Sequence, residues 1–108
     1  MTTDKLLEQI HPGEVLMEDF MEPMGLTMNR LARDLIVPVG RVSDIVHCRR
    51  SITADTALRL ERYFGVSAQF WLNLQAEYDL RVKKREIWPD IKRRIIPALR
   101  SQPGEAPS

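Results

Sequence analysis

Apolar residues recur at helical spacing in five short blocks of this chain, and no stretch keeps the period-two alternation of a strand. His11-Pro12-Gly13-Glu14 sets a proline at the first helical position and a glutamate in the first turn, ahead of Val15, Leu16 and Phe20; Met24-Gly25 is a stop. Thr27 is an N-cap for a second helix with Met28, Leu31, Ala32 and Leu35 at i, i+3, i+4 and i+7. After a break at Ile36-Val37-Pro38, a third segment gathers Val42, Ile45 and Val46 on one face. Thr53 opens a fourth, with Asp55 in its first turn, Ala57, Leu58, Leu60 and Phe64 inward, and Gly65 as terminator. Ser67 caps a fifth that turns Phe70, Trp71, Leu74 and Tyr78 inward and is free to run on through Arg81–Arg85. Pro89 is placed to start a short further helix with Ile91, Ile95 and Ile96 inward, closed by Pro97. Five such stripes in about 70 residues bury one another only as a compact all-α bundle.

With 108 residues there is room for one domain. The expected organisation is an N-terminal arm (1–10), a helical domain (11–80), a basic helical extension (81–100) and a disordered Ser/Pro/Gly tail (101–108). No apolar run approaches the roughly 20 residues of a membrane span, and the first ten residues are polar and acidic, unlike a signal peptide. Cys48 is a lone cysteine, and with only His11 and His47 it makes no zinc ligand set. These absences point to a reduced, cytoplasmic protein without membrane association, metal or cofactor.

The net charge of +1 hides strong patterning. Residues 1–26 carry −5, residues 27–50 carry +3, residues 51–80 carry −2 and the remainder +5. Separate basic and acidic faces suit a polyanion and a cationic partner, although charge blocks also serve simply as solvated faces. The second and third segments add geometry to this. Two helices of about eight residues, a tight break and a small Ala32 near the crossing are what a helix-turn-helix requires. Arg30, Arg41, Arg49 and Arg50 flank that unit and suit phosphate contacts. Spacing alone still leaves open an ordinary helical hairpin.

More specific are the residues themselves: His11-Pro12-Gly13-Glu14, Leu31-Ala32, Val42-Ser43-Asp44-Ile45-Val46, Arg49-Arg50-Ser51-Ile52-Thr53, Phe70-Trp71-Leu72-Asn73-Leu74-Gln75 and Tyr78-Asp79-Leu80. Through these, residues 11–80 resemble the HigA-type antitoxins, also called virulence-associated protein I, of the lambda-repressor-like (Cro/CI, XRE) helix-turn-helix class. The resemblance implies a five-helix bundle that binds a palindromic operator as a homodimer, represses its own operon and neutralises a basic, mRNA-cleaving toxin of the HigB/RelE kind. It carries Val39, Gly40, Arg41, Ser43 and Asp44 to the groove-facing positions, with Met28 and Asn29, and Thr27, Arg30, Arg49 and Arg50 to the DNA backbone. A free-standing repressor of the same fold would look alike in this half.

Departures from the pattern fall at informative places. Ile36 occupies a turn position usually held by glycine or asparagine, because φ is positive there, and Cys48 replaces a helix-ending glycine. Gly40 and Val39 leave direct base readout to Arg41, toward guanine, and to Asn29, toward adenine. Phe70 and Trp71 read as core rather than as a base-stacking platform, and Asn73 and Gln75 as bridges between helices. His11 reads as an N-cap. His47 and Cys48 are adjacent on a helix and point apart, so no nucleophile pair, and no enzyme, is expected. Glu14, Glu18 and Glu22 form an acidic stripe suited to a basic toxin. Trp88, Ile91 and Ile95 on the extension are candidates for a dimer interface, or else they fold back on the bundle.

Overall fold

The computed structural model describes residues 10–98, so residues 1–9 of the expected arm and all of the expected tail lie outside the described residues. Its first helix, α1, runs through an α-helical turn at Pro12–Val15, a π-helical stretch at Leu16–Met21 and a closing turn at Glu22–Met24. It is followed by α2 (Met28–Leu35), α3 (Val39–Val46), α4 (Ala54–Phe64) and α5 (Ala68–Arg94). No strand occurs among the described residues.

The helix starts follow from their caps. The Nδ1 of His11 accepts the Gly13 N–H at 2.8 Å, and Pro12 needs no partner in that first turn. Burial holds the His11 imidazole below its ordinary pKa, which keeps free the lone pair that the cap uses. Thr27, Thr53 and Ser67 accept the Arg30, Thr56 and Phe70 N–H groups, and Glu61 adds an acceptor for the Ala68 N–H at 2.8 Å. Three helices end in a left-handed residue whose following N–H reaches five residues back: Gly25 after α1, Ile36 after α2 and Cys48 after α3.

The π-helical stretch has a cause in Pro23. That proline has no N–H for the Asp19 carbonyl, and its ring crowds it; a wider turn just before the proline accommodates both.

The core gathers the expected stripes around Trp71, which is wholly buried, with Phe20 at 5.0 Å and Phe70 at 5.1 Å between ring centroids. Its Nε1 finds no acceptor among the described residues, a rare condition for a buried donor. Gln75 is buried too, and its Oε1 takes the Ile52 N–H at 2.8 Å while its amide donates to Asp79. Gly13 explains the rest of the His-Pro-Gly-Glu run. A Cβ there would stand 1.8 Å from the Ile45 carbonyl oxygen, so only glycine lets α1 touch the end of α3.

Four expectations need correction. Asn73, expected to bridge helices as Gln75 does, is exposed and accepts from Gln69 one turn back on its own helix. Leu58 is 60% exposed rather than inward, because it lies off the Ala57–Leu60 face. Pro89 does not start a new helix but lies inside α5. Once a helix is running, a proline sacrifices one backbone bond, whereas a fresh start needs a new nucleus. Ile95 and Ile96, expected inward, are exposed because α5 has by then left the bundle.

Candidate nucleic-acid interface

The first turn of α3 stands clear of the bundle. Val39 is exposed, and a Cβ added to Gly40 would meet nothing within 4 Å. Val42 and Ile45 on its opposite face are buried, so the helix is anchored by one side and open on the other. Of the residues expected to face a groove, Asn29, Val39 and Gly40 are exposed, Arg41, Ser43 and Asp44 are half-buried, and Met28 is half-buried with part of its side chain packed on the core.

Three carboxylates organise the arginines around this helix. Asp34 pairs with Arg30 at 2.9 Å and Arg33 at 4.0 Å; Asp44 with Arg49 at 3.3 Å and Arg50 at 3.4 Å; Asp55 with Arg41 at 2.6 Å and Arg59 at 3.0 Å. Each cluster has two cations per anion and stays net positive. Exposed pairs of this kind add little stability, but they limit where a long side chain wanders. The Tyr63 hydroxyl donates to Asp34 at 2.6 Å and, with Arg30, holds that carboxyl below the usual carboxylate range. Hydrogen bonds from Arg59 and Arg41 do the same for Asp55. The sequence does not disclose Arg33, Arg59 or the pairing itself, since in the sequence Asp55 reads only as a first-turn acid.

Both departures at turns adopt the geometry expected of glycine. Ile36 has φ 60° and Cys48 φ 62°, each in the left-handed region that disfavours a β-carbon. Arg59 Nη1 donates to the carbonyls of Leu35 at 2.8 Å and Ile36 at 3.2 Å, clamping the first of these turns from α4. Burial pushes the Cys48 thiol above its ordinary pKa, and His47 Nδ1 lies 2.8 Å from the Ser43 carbonyl oxygen rather than on the thiol.

Elsewhere, Glu18 and Glu22 are exposed and Glu14 half-buried, with no ion pair on any of the three among the described residues. Trp88 is 42% exposed and Ile95 64%, and Ile91 is half-buried; none folds back into the core. No described helix is long and apolar enough to cross a membrane.

An eight-residue helix seated by a tight turn on its partner, open on its outer face and ringed by guanidinium groups, defines a helix-turn-helix protein. A helix-turn-helix family model matches residues 17–71. The virulence-associated protein I of Dichelobacter nodosus is 53% identical over 77 residues, 71% of each chain. The structure of the Pseudomonas aeruginosa antitoxin HigA with the higBA promoter superposes with a TM-score of 0.81 at 46% identity, covering 83% of this chain and 98% of that one. A HigA-family antidote protein from Coxiella burnetii gives 0.78 at 43%, covering 82% and 96%. The chain belongs to the HigA-type antitoxins of the helix-turn-helix family.

Proposed function

We propose that this protein is the DNA-binding antitoxin of a type II toxin–antitoxin module, repressing its own operon as a homodimer and neutralising a HigB/RelE-like toxin. The observation that carries this reading is the open first turn of α3 among three net-positive arginine clusters, in a chain whose HigA relative was solved with its promoter. Val39, Gly40, Arg41, Ser43 and Asp44 meet the major groove with Asn29, and Thr27, Arg30, Arg49 and Arg50 meet phosphates. Met28 supports this surface from beneath. One reading helix per protomer makes too few contacts for useful specificity, so two half-sites about one DNA turn apart are required. Trp88, Ile91 and Ile95 would join the protomers, and Glu14, Glu18 and Glu22 would receive the toxin, steering a basic partner by charge.

Binding of a duplex from its own promoter, followed by fluorescence anisotropy, tests the reading. Arg41→Ala should cost about 1–3 kcal/mol on the operator and relax one base pair. Arg49→Ala or Arg50→Ala should weaken all DNA alike and flatten the salt dependence. Equal binding by the wild type and the Arg41/Arg49/Arg50 triple variant would sink it.

A further inference from the structure

We infer that Asp55, which lies on α4 outside the reading helix, is a positioning residue for base readout: its carboxylate holds the Arg41 guanidinium in the attitude that meets a guanine edge. The inference rests on the DNA-reading function proposed above and specifies how that site discriminates.

Arg41 differs from the other arginines beside α3. Its side chain is 29% exposed, against 55% for Arg30, 60% for Arg49 and 51% for Arg50. Those three pair with a carboxylate on their own or the adjoining stretch of chain, whereas the Arg41 pair joins α3 to α4. Asp55 is itself fixed. Its Oδ2 receives Arg41 Nη1 at 2.6 Å and Arg59 Nε at 3.0 Å, and Arg59 Nη1 in turn donates to the Leu35 and Ile36 carbonyls. A continuous relay therefore links the turn that sets the α2–α3 angle to the one long side chain expected to read a base.

Chemistry gives that relay a purpose. A guanidinium has five N–H donors, and Asp55 occupies one at Nη1, leaving others for the O6 and N7 of guanine. An unrestrained arginine serves any nearby phosphate as well as a base. One whose fork is already oriented loses less freedom on meeting guanine and swings less readily to the backbone. Meanwhile the Asp55 charge opposes DNA of every sequence, so it lowers general affinity. A carboxylate that weakens all binding but orients the reader contributes discrimination.

The experiment compares affinity for a duplex of the protein's own promoter with affinity for a scrambled duplex of equal length and composition. Asp55→Asn should leave scrambled binding unchanged or raise it a few-fold, since one repelling charge is gone. The promoter-to-scrambled ratio should fall about fivefold or more, within the discrimination of one bidentate contact. Arg41→Ala should lower the ratio as well, and the double variant should match Arg41→Ala alone, because Asp55 acts through Arg41. Circular dichroism and melting check that each variant is folded. Should Asp55→Asn prove unfolded, Asp55→Glu, which displaces the carboxylate while keeping its charge, must lower the ratio in its place. An unchanged or raised ratio, or additive losses in the double variant, overturns the assignment. A wild type with no preference for its own promoter overturns the DNA-reading function itself.

Discussion

Trp71 and Trp88 share α5, yet the first has 0% of its surface exposed and the second 42%. In the proximal half of that helix the apolar side chains enter the bundle: Trp71 and, half-buried, Leu74 and Tyr78, with Gln75 between them. In the distal half Leu80, Ile87, Trp88, Ile91 and Ile95 lie along the other side. At about 100° per residue that edge falls roughly half a turn round from the buried one. Lys84 sets its ammonium 5.4 Å from the Trp88 ring centroid, so even this edge has a cation packed on it. An apolar stripe announces that it is to be covered, but not whether the cover belongs to the same molecule. The bundle half is ordered by its own chain; the distal half offers an edge of the kind that second chains cover.

The largest effect should separate the two tryptophans. Trp71→Ala should destabilise the monomer by about 3–5 kcal/mol in denaturant melts, while Trp88→Ala should stay within about 0.5 kcal/mol at concentrations too low for dimers. Trp71→Phe should fall well short of the alanine loss, because it keeps an aromatic ring in the core and removes an Nε1 that finds no acceptor among the described residues. A monomer equally weakened by both alanine variants would erase the distinction.

Two glycines sharpen it next. Gly13→Ala forces a β-carbon onto the Ile45 carbonyl and should lose about 1–3 kcal/mol, with operator affinity falling as α3 shifts. Gly40→Ala has open space and a helical backbone, so it should gain about 0.5–1 kcal/mol. Ile36→Gly should also stabilise, by about 1 kcal/mol, since it relieves a β-branched residue at φ 60° that is 80% exposed and packs little.

The smallest effect is a pH dependence. The His11 cap needs neutral imidazole, and its folded pKa lies below the ordinary 6.5. Its contribution is therefore complete above about pH 6.5 and is lost as pH falls through the depressed folded value. Melting temperature should drop slightly between pH 7.5 and 5.5 in the wild type. His11→Asn, a cap without a charge change in that range, should flatten the curve. An identical slope in both proteins would remove His11 as its source.

Much of the bundle was legible because its signals are local. Thr27, Thr53 and Ser67 announce helix starts through side chains that accept nearby N–H groups, and Leu31, Ala32 and Leu35 announce a buried face by spacing. Positive φ at Ile36, and a glycine-like helix end at Cys48, were readable through the family pattern from which both residues depart. What was not legible depends on distant parts meeting. The Gly13–Ile45 approach and the Arg41–Asp55 pair join separate helices, and no spacing rule reaches across them. Pro89 misled because a proline reads as a start, when only the length of helix already formed decides otherwise. Leu58 misled because its neighbours Ala57 and Leu60 are both buried and a helix face is narrower than a run of apolar letters.

Continuity in α5 sets angular phase as well as reach. Because Ala68–Arg94 is one continuous helix, each residue inserted between Tyr78 and Trp88 would turn everything beyond it by about 100° and advance it by about 1.5 Å. A single insertion would carry the Trp88 edge more than a quarter turn aside with every side chain intact; four would bring it nearly back into line, about 6 Å further out. The heading of the distal edge relative to α3 is thus recorded as a residue count, and a lengthened α5 should be tolerated in whole turns where single steps are not.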